Sequence, residues 1–247
     1  MRICCFDSET LANVPRQIHT MPVDEIAGLT VHLKNPAVFA EFQVSSLLDV
    51  LECYDLATVD PAEVARHLEA LTLTDGVRIT TFTSSLRILE QVTAGRVIDP
   101  KTVAWHLKNG VDVETKPRPA LSNVETLNNF QAFLADSDAV FTRGNDFDIA
   151  LIGNLSDSLG VKERFKYNSV RDIRTACDEL LQDFKYTPYV TAERVAGSTL
   201  GLLYPNLVEI AGRISKLRKA FGHRALYDAV FDLCLYLALK QVAMKEL

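Results

Sequence analysis

Asp7 and Glu9 are the first residues in the chain whose types and spacing could do chemistry. They follow an apolar run, Ile3 to Phe6, that reads as a buried N-terminal strand. Side chains alternate faces along a strand, so residues i and i+2 project together, here expected just past the strand end. Two carboxylates that close repel one another, and burial makes the repulsion worse. They are tolerated when solvated, or when a divalent cation lies between them, and oxygen donors of this kind suit Mg²⁺ or Mn²⁺. Taken alone, Asp-x-Glu is common, and a solvated strand-to-loop junction accounts for it.

Two further stretches carry similar side chains. Thr142-Arg-Gly-Asn-Asp-Phe-Asp148 lies between a short apolar strand, Ala139 to Phe141, and a helix with Ile149, Ile152, Leu155 and Leu159 on one face. Asp148 therefore sits near a strand-to-helix junction, where open α/β sheets place ligands. By itself it is an ordinary acidic residue at a helix N-terminus. His223 precedes Asp228 by five residues at the head of the last long helix. That spacing is about 140° off one turn, so the two do not stack on one face. Both can line a cleft that the helix N-terminus borders, with His223 swinging on Gly222; alone they read as a cap and a surface charge.

The elements that must position these residues follow from pattern. Asn13 to Thr20 and Met21-Pro22 read as a loop, and Ile26 to Leu33 as a second strand that Asn35-Pro36 ends. Ala37 to Val44 is expected to be another strand. From Ser45 to Thr74 the spacing turns helical, with Asp60-Pro61 opening a second helix, and this stretch is expected to be a helical insertion or lid. Val77 to Phe82 and Leu86 to Val92 are β-favouring runs. Asp99-Pro100 opens a short helix carrying Trp105, the only tryptophan, which is assigned to core packing with stacking on a substrate base as the alternative. Lys116 to Pro119 is a stiff loop. Ser122 and Glu125 form a capping box for a helix running to about Ala135. Arg171 to Thr175 lies at a helix start, Tyr186 to Pro205 looks irregular, and two helices close the chain, the last from about His223 to Lys245.

Composition sets the bounds. At 247 residues, with 48% hydrophobic and 23% charged residues, the chain can bury one large core, and no composition break divides it. It reads as a single domain over residues 1–247 with an insertion at about 36–80. The five cysteines are scattered without a CxxC pair, which favours reduced thiols in a cytoplasmic setting over a zinc site or disulfide framework. No His-x-x-x-His pair occurs among the five histidines. No apolar run reaches membrane-spanning length, so no membrane partner is expected. A net charge of −6 does not indicate a basic nucleic-acid binder, although a carboxylate site that holds metal can still bind phosphate through the cation.

Taken together, Phe-Asp-x-Glu-Thr ending a first strand, Asn145-x-Phe-Asp148 opening a mid-chain helix and His223-x4-Asp228 heading the last helix resemble the DEDDh class of DnaQ-like 3′→5′ exonucleases. Thr142 to Asp148, Asn168-x-x-Arg-Asp-Ile-Arg-Thr175, and Gly95-Arg96 with Lys101-Thr-Val-x-Trp105 are similar to segments of exonuclease A of the T-even phages and its bacterial and phage relatives. Trp105-His106 stands where that family tends to carry paired tryptophans. The resemblance covers the N-terminal strand and most of residues 86 to 240, and 36 to 80 lie outside it.

The resemblance implies an α/β, ribonuclease-H-like mixed sheet flanked by helices. It implies two divalent ions, Mg²⁺ or Mn²⁺, with Asp7 bridging them, Glu9 and Asp228 completing the shell of the first ion and Asp148 holding the second ion, partly through water. His223 would act as general base on the attacking water. Asp148 is chosen over Asp146 because the family places its acid directly after the aromatic. The implied activity is hydrolysis from the 3′ end of single-stranded DNA or RNA, leaning towards DNA, with release of nucleoside 5′-monophosphates. A catalytically silent binding or adaptor module on the same fold is the alternative. Thr10, Trp105, Arg171 and Arg174 are the substrate-binding candidates; for the two arginines, an ion pair with Asp172 or a neighbouring acid is the plainer reading. A homodimer is one expectation, since relatives often dimerise, and phage origin would place the protein in the host cytoplasm.

Overall fold

The computed structural model describes residues 1–13, 15–71, 76–108, 121–183, 190–221 and 223–245. The expected 116–119 loop and the proposed hinge at Gly222 lie outside the described residues, as do the side chains of residues 145 and 146.

Strand β1 (Arg2–Thr10) is central. It pairs antiparallel with β2 (Val23–Leu33), which α1 (Pro36–Glu41), α2 (Ser46–Glu52) and α3 (Pro61–Ala70) link to β3 (Val77–Ser85) on the outer edge. Then come α4 (Ile88–Thr93), α5 (Pro100–Lys108) and α6 (Asn123–Leu134), and β4 (Ala139–Thr142), which joins the other side of β1 in parallel. After α7 (Ala150–Ser158), β5 (Val170–Asp172) extends the sheet parallel to β4. Helices α8 (Ile173–Leu181), α9 (Ala192–Ala196), α10 (Thr199–Leu203), α11 (Pro205–Phe221) and α12 (Ala225–Ala243) follow. Among the described residues this is one mixed sheet in the order β3-β2-β1-β4-β5, an α/β architecture consistent with a ribonuclease-H-like fold.

Alternation along β1 assigns its residues to two cores. Ile3 and Cys5 join the cluster that contains α2, α3, α8, α11 and α12, whereas Cys4 and Phe6 join the one under α6 and α7. Helix α12 is buried nearly all round, which is why its sequence is apolar on every face apart from a few charged positions. The capping box at Ser122 and Glu125 forms as expected and starts α6.

Four expectations are corrected. Ala37 to Val44 is not a strand: the Asn35 side chain accepts from the Val38 amide and Pro36 occupies the first turn, so start signals outweigh the β-favouring composition and α1 forms. Leu86 to Val92 is helix α4 rather than strand. The edge pairing ends at Ser85, and the Gln91 side chain bonds both backbone groups of Val23, while Leu89 and Val92 face outward. Asp7 and Glu9 do not follow β1 but lie within it, because pairing with β2 continues to Thr10. Helices α1 to α3 pack in the core with Leu29 and Leu233 instead of forming a cover over the cleft.

Candidate active site

Strand β1 pairs with β4 only through Cys5. Beyond that point its β4 side is open, and the crevice at the carboxyl end of β4 receives the next segment. That segment is a π-helical turn, Asn145–Ile149, which places Asp148 at 4% exposure. Turns of this kind are rare and concentrate at functional sites. The Ser8 hydroxyl donates to Asp148 Oδ1 at 2.6 Å, tying the turn to β1. Burial, then the carboxylates of Asp148, Glu9 and Asp228, hold the Asp7 carboxyl well above its usual range, against the opposing pull of Arg143. Burial likewise pushes Asp148 up to about 6. Asp7 thus feels the charge of acids from its own strand, the β4–α7 junction and α12.

The head of α12 completes the group. Asp228 lies one turn into the helix at 2% exposure. His223 precedes the helix and adopts φ +74°, a left-handed conformation that histidine visits more readily than most residues. The spacing that keeps the two apart on a regular helix is thereby overcome: Glu9, His223 and Asp228 each offer one ligand atom, all within 4.8 Å of one another. Burial holds His223 below its usual pKa, with Asp228 opposing, so its imidazole is neutral near pH 7.

A cleft of about 620 Å³ opens beside this group, lined by Glu9, Thr10, Lys101, Trp105, Phe147 and His223 among others. Trp105 is 42% exposed and does not pack in the core. Its indole meets the His223 ring with centroids 4.4 Å apart. Thr10 is buried, donates to the Ala12 carbonyl, and accepts from His106 Nε2 at 2.9 Å through its own carbonyl. Arg171 and Arg174 do not line the cleft. Arg171 donates to the Asn168 and Val170 carbonyls, and Arg174 pairs with Asp172 at 3.3 Å.

Behind the acids lie charges that the sequence motifs do not include. Arg143 and Arg218 both reach Asp228 Oδ1, at 3.1 and 3.2 Å, and both reach Asp232, at 2.8 and 2.7 Å. Burial pushes Asp232 up, but the two guanidiniums hold it below its usual range. The signal was legible: Asp228 and Asp232 stand four apart in the first, mostly apolar turns of α12, hence on one face, and a buried acid pair needs cations.

Carboxylates this crowded and buried are chemically suited to divalent cations, the donor type that hard ions take. Residues 64–201, more than half of the chain, match the family model of the 3'-5' exoribonuclease Rv2179c-like domain. The matched span runs from α3 into α10 and includes Asp148, while Asp7, Glu9, His223 and Asp228 flank it. No match was found among curated proteins. With its matched span built around the crevice that holds Asp148, the chain belongs to the Rv2179c-like family of 3′→5′ exoribonuclease domains.

Proposed function

We propose that the chain is a divalent-metal-dependent 3′→5′ exoribonuclease of the DEDDh type, which shortens single-stranded RNA and releases nucleoside 5′-monophosphates. The observation that carries this reading is the approach of Glu9, His223 and Asp228 to within 4.8 Å, beside Asp7 and Asp148. RNA takes precedence over the DNA suggested by sequence because the matched family is one of exoribonucleases.

In this reading Asp7, Glu9, Asp148 and Asp228 hold two ions, Mg²⁺ or Mn²⁺. Bound there, such ions stabilise the attacking and leaving oxygens of an in-line phosphodiester displacement. His223, neutral and within reach of Glu9 and Asp228, accepts a proton from the attacking water. The new bond joins that oxygen to phosphorus, the bond to the preceding 3′-oxygen breaks, and that oxygen takes a proton from solvent to become the 3′-hydroxyl of the shortened RNA. Lys101 offers the cleft a positive charge for the substrate backbone, and the exposed indole of Trp105 offers a stacking face. Arg143 and Arg218 fix Asp228 in place from behind.

The test is incubation with 5′-labelled single-stranded RNA and matched DNA, each with a free or blocked 3′ end, with Mg²⁺, Mn²⁺ or chelator. Stepwise shortening of free-ended RNA in the presence of either ion supports the reading. Binding without cleavage under all conditions would replace it with the adaptor alternative.

A further inference from the structure

We propose that the ion pair between Glu25 and Arg224 is a positioning device for His223, setting the imidazole over Glu9 and Asp228. The inference rests on the nuclease reading for its catalytic consequence but not for its structural one.

Glu25 is the cross-strand partner of Glu9 in the β1–β2 register, so the two carboxylates project from neighbouring strands onto one face. The register shifts immediately after Glu9, an irregularity that β-sheets use to re-aim side chains near functional sites. The two acids have different surroundings. Glu9 lines the cleft and lies in the group with His223 and Asp228. Glu25 is 2% exposed, and its Oε2 lies 3.4 Å from Arg224 Nε.

Arg224 directly follows His223 and is the N-cap of α12, yet its side chain does not cap the helix. The guanidinium reaches across to β2 instead. The backbone turns sharply at this point: His223 has φ +74°, and Arg224 is extended before the helix begins. A non-glycine residue in the left-handed region persists when its surroundings over-determine it. Two contacts do so here. Trp105 packs against the His223 ring on the cleft side, and the Arg224–Glu25 pair anchors the next residue to the sheet. Glu25 therefore acts through Arg224 and His223 and touches no reacting atom.

The experiment compares wild type with Glu25→Gln, Arg224→Gln, the double variant and Arg224→Lys, all in the full chain. The first readout is independent of activity. The Trp105 ring shifts the His223 ring-proton NMR signals, and loss of the anchor moves them towards free-imidazole positions in both single variants. Arg224→Lys, which keeps the charge, restores part of the shift. The second readout is kinetic: kcat on RNA falls about 10- to 100-fold with KM changed less than about twofold, as expected for a misplaced group. The double variant is no worse than either single one, because the pair acts as a unit. It also avoids leaving one buried charge alone, which keeps the test valid if a single variant folds poorly. Unchanged His223 signals in both single variants overturn the proposal. So does loss of Mn²⁺ binding in Glu25→Gln with His223 signals intact, which would make Glu25 a ligand. If wild type cleaves no RNA, the nuclease reading falls while the NMR shift still decides the positioning role.

Discussion

The rings of Trp105 and His223 meet edge to face, with centroids 4.4 Å apart and planes at 73°. The sole tryptophan therefore supports the proposed base and also borders the space where a substrate would lie. Such aromatic pairs contribute about 1 kcal/mol beyond area burial. Trp105→Ala should lower kcat/KM on RNA by about fivefold or more, with Trp105→Phe retaining most activity. Because the ring is 42% exposed, neither variant should shift the thermal midpoint strongly. Steady-state kinetics beside a thermal melt checks both statements.

His223 separates catalysis from stability. Its backbone sits at φ +74°, a conformation open to glycine and costly for alanine. His223→Gly and His223→Ala should both lose about 100-fold or more in kcat, the usual contribution of a general base. The glycine variant should nonetheless be the more stable of the two by about 1 kcal/mol. Urea denaturation of the pair reads this difference; equal stabilities would mean that the left-handed turn carries no strain.

Removal of Asp232 leaves Arg143 and Arg218 facing Asp228 alone. Losing one partner of a buried charge network costs about 3–5 kcal/mol. Asp232→Ala should therefore be strongly destabilised, and its Asp228 should hold divalent cations less well because its position is no longer fixed. Chemical denaturation and Mn²⁺ titration measure the two effects separately.

The acids also set a pH signature. Burial raises Asp148 from its ordinary 3.8 to about 6, against the Ser8 hydroxyl and Arg143. Between these values the folded, metal-free protein binds more protons than the unfolded chain, so stability falls as pH rises through this window. The same sign holds for Asp7, whose carboxyl is held well above its usual range by burial and the neighbouring acids. The stability of wild type minus that of Asp148→Asn should decline from pH 4 to pH 6 without metal. Added Mg²⁺ should recover the loss in wild type at pH 7 and much less in the variant. Urea unfolding across that range tests the sign.

Much of the site was legible because its residues differ in type from their settings. Asp7, Asp148 and Asp228 are acids in or beside apolar runs, and burial of a charge demands a compensating partner. Glu25 escaped notice because nothing local marks it; only the β1–β2 register places it opposite Glu9. Arg143 and Arg218 are 75 residues apart, and their common target appears only when α12 packs on the sheet. Within the fold, strong start signals at Asp60-Pro61 and Ser122 gave helices as expected. Ala37 to Val44 misled because its composition favours strands, whereas its cap decides the outcome. Core packing is the favoured reading of Trp105 because burial is the common state of an aromatic residue, whereas the geometry puts it on the cleft, the place that the stacking alternative requires.

In the proposed enzyme Asp7, Glu9, Asp148, His223 and Asp228 form one metal-dependent hydrolytic centre, which cannot work with one of its acids removed. The most direct measurement follows a 5′-labelled single-stranded RNA with Mn²⁺, comparing wild type with Asp7→Asn and resolving the released products. The wild type should shorten the RNA stepwise from the 3′ end and release nucleoside 5′-monophosphates, and neither the variant nor the wild type with chelator should do so. Undiminished degradation by Asp7→Asn would contradict the proposal.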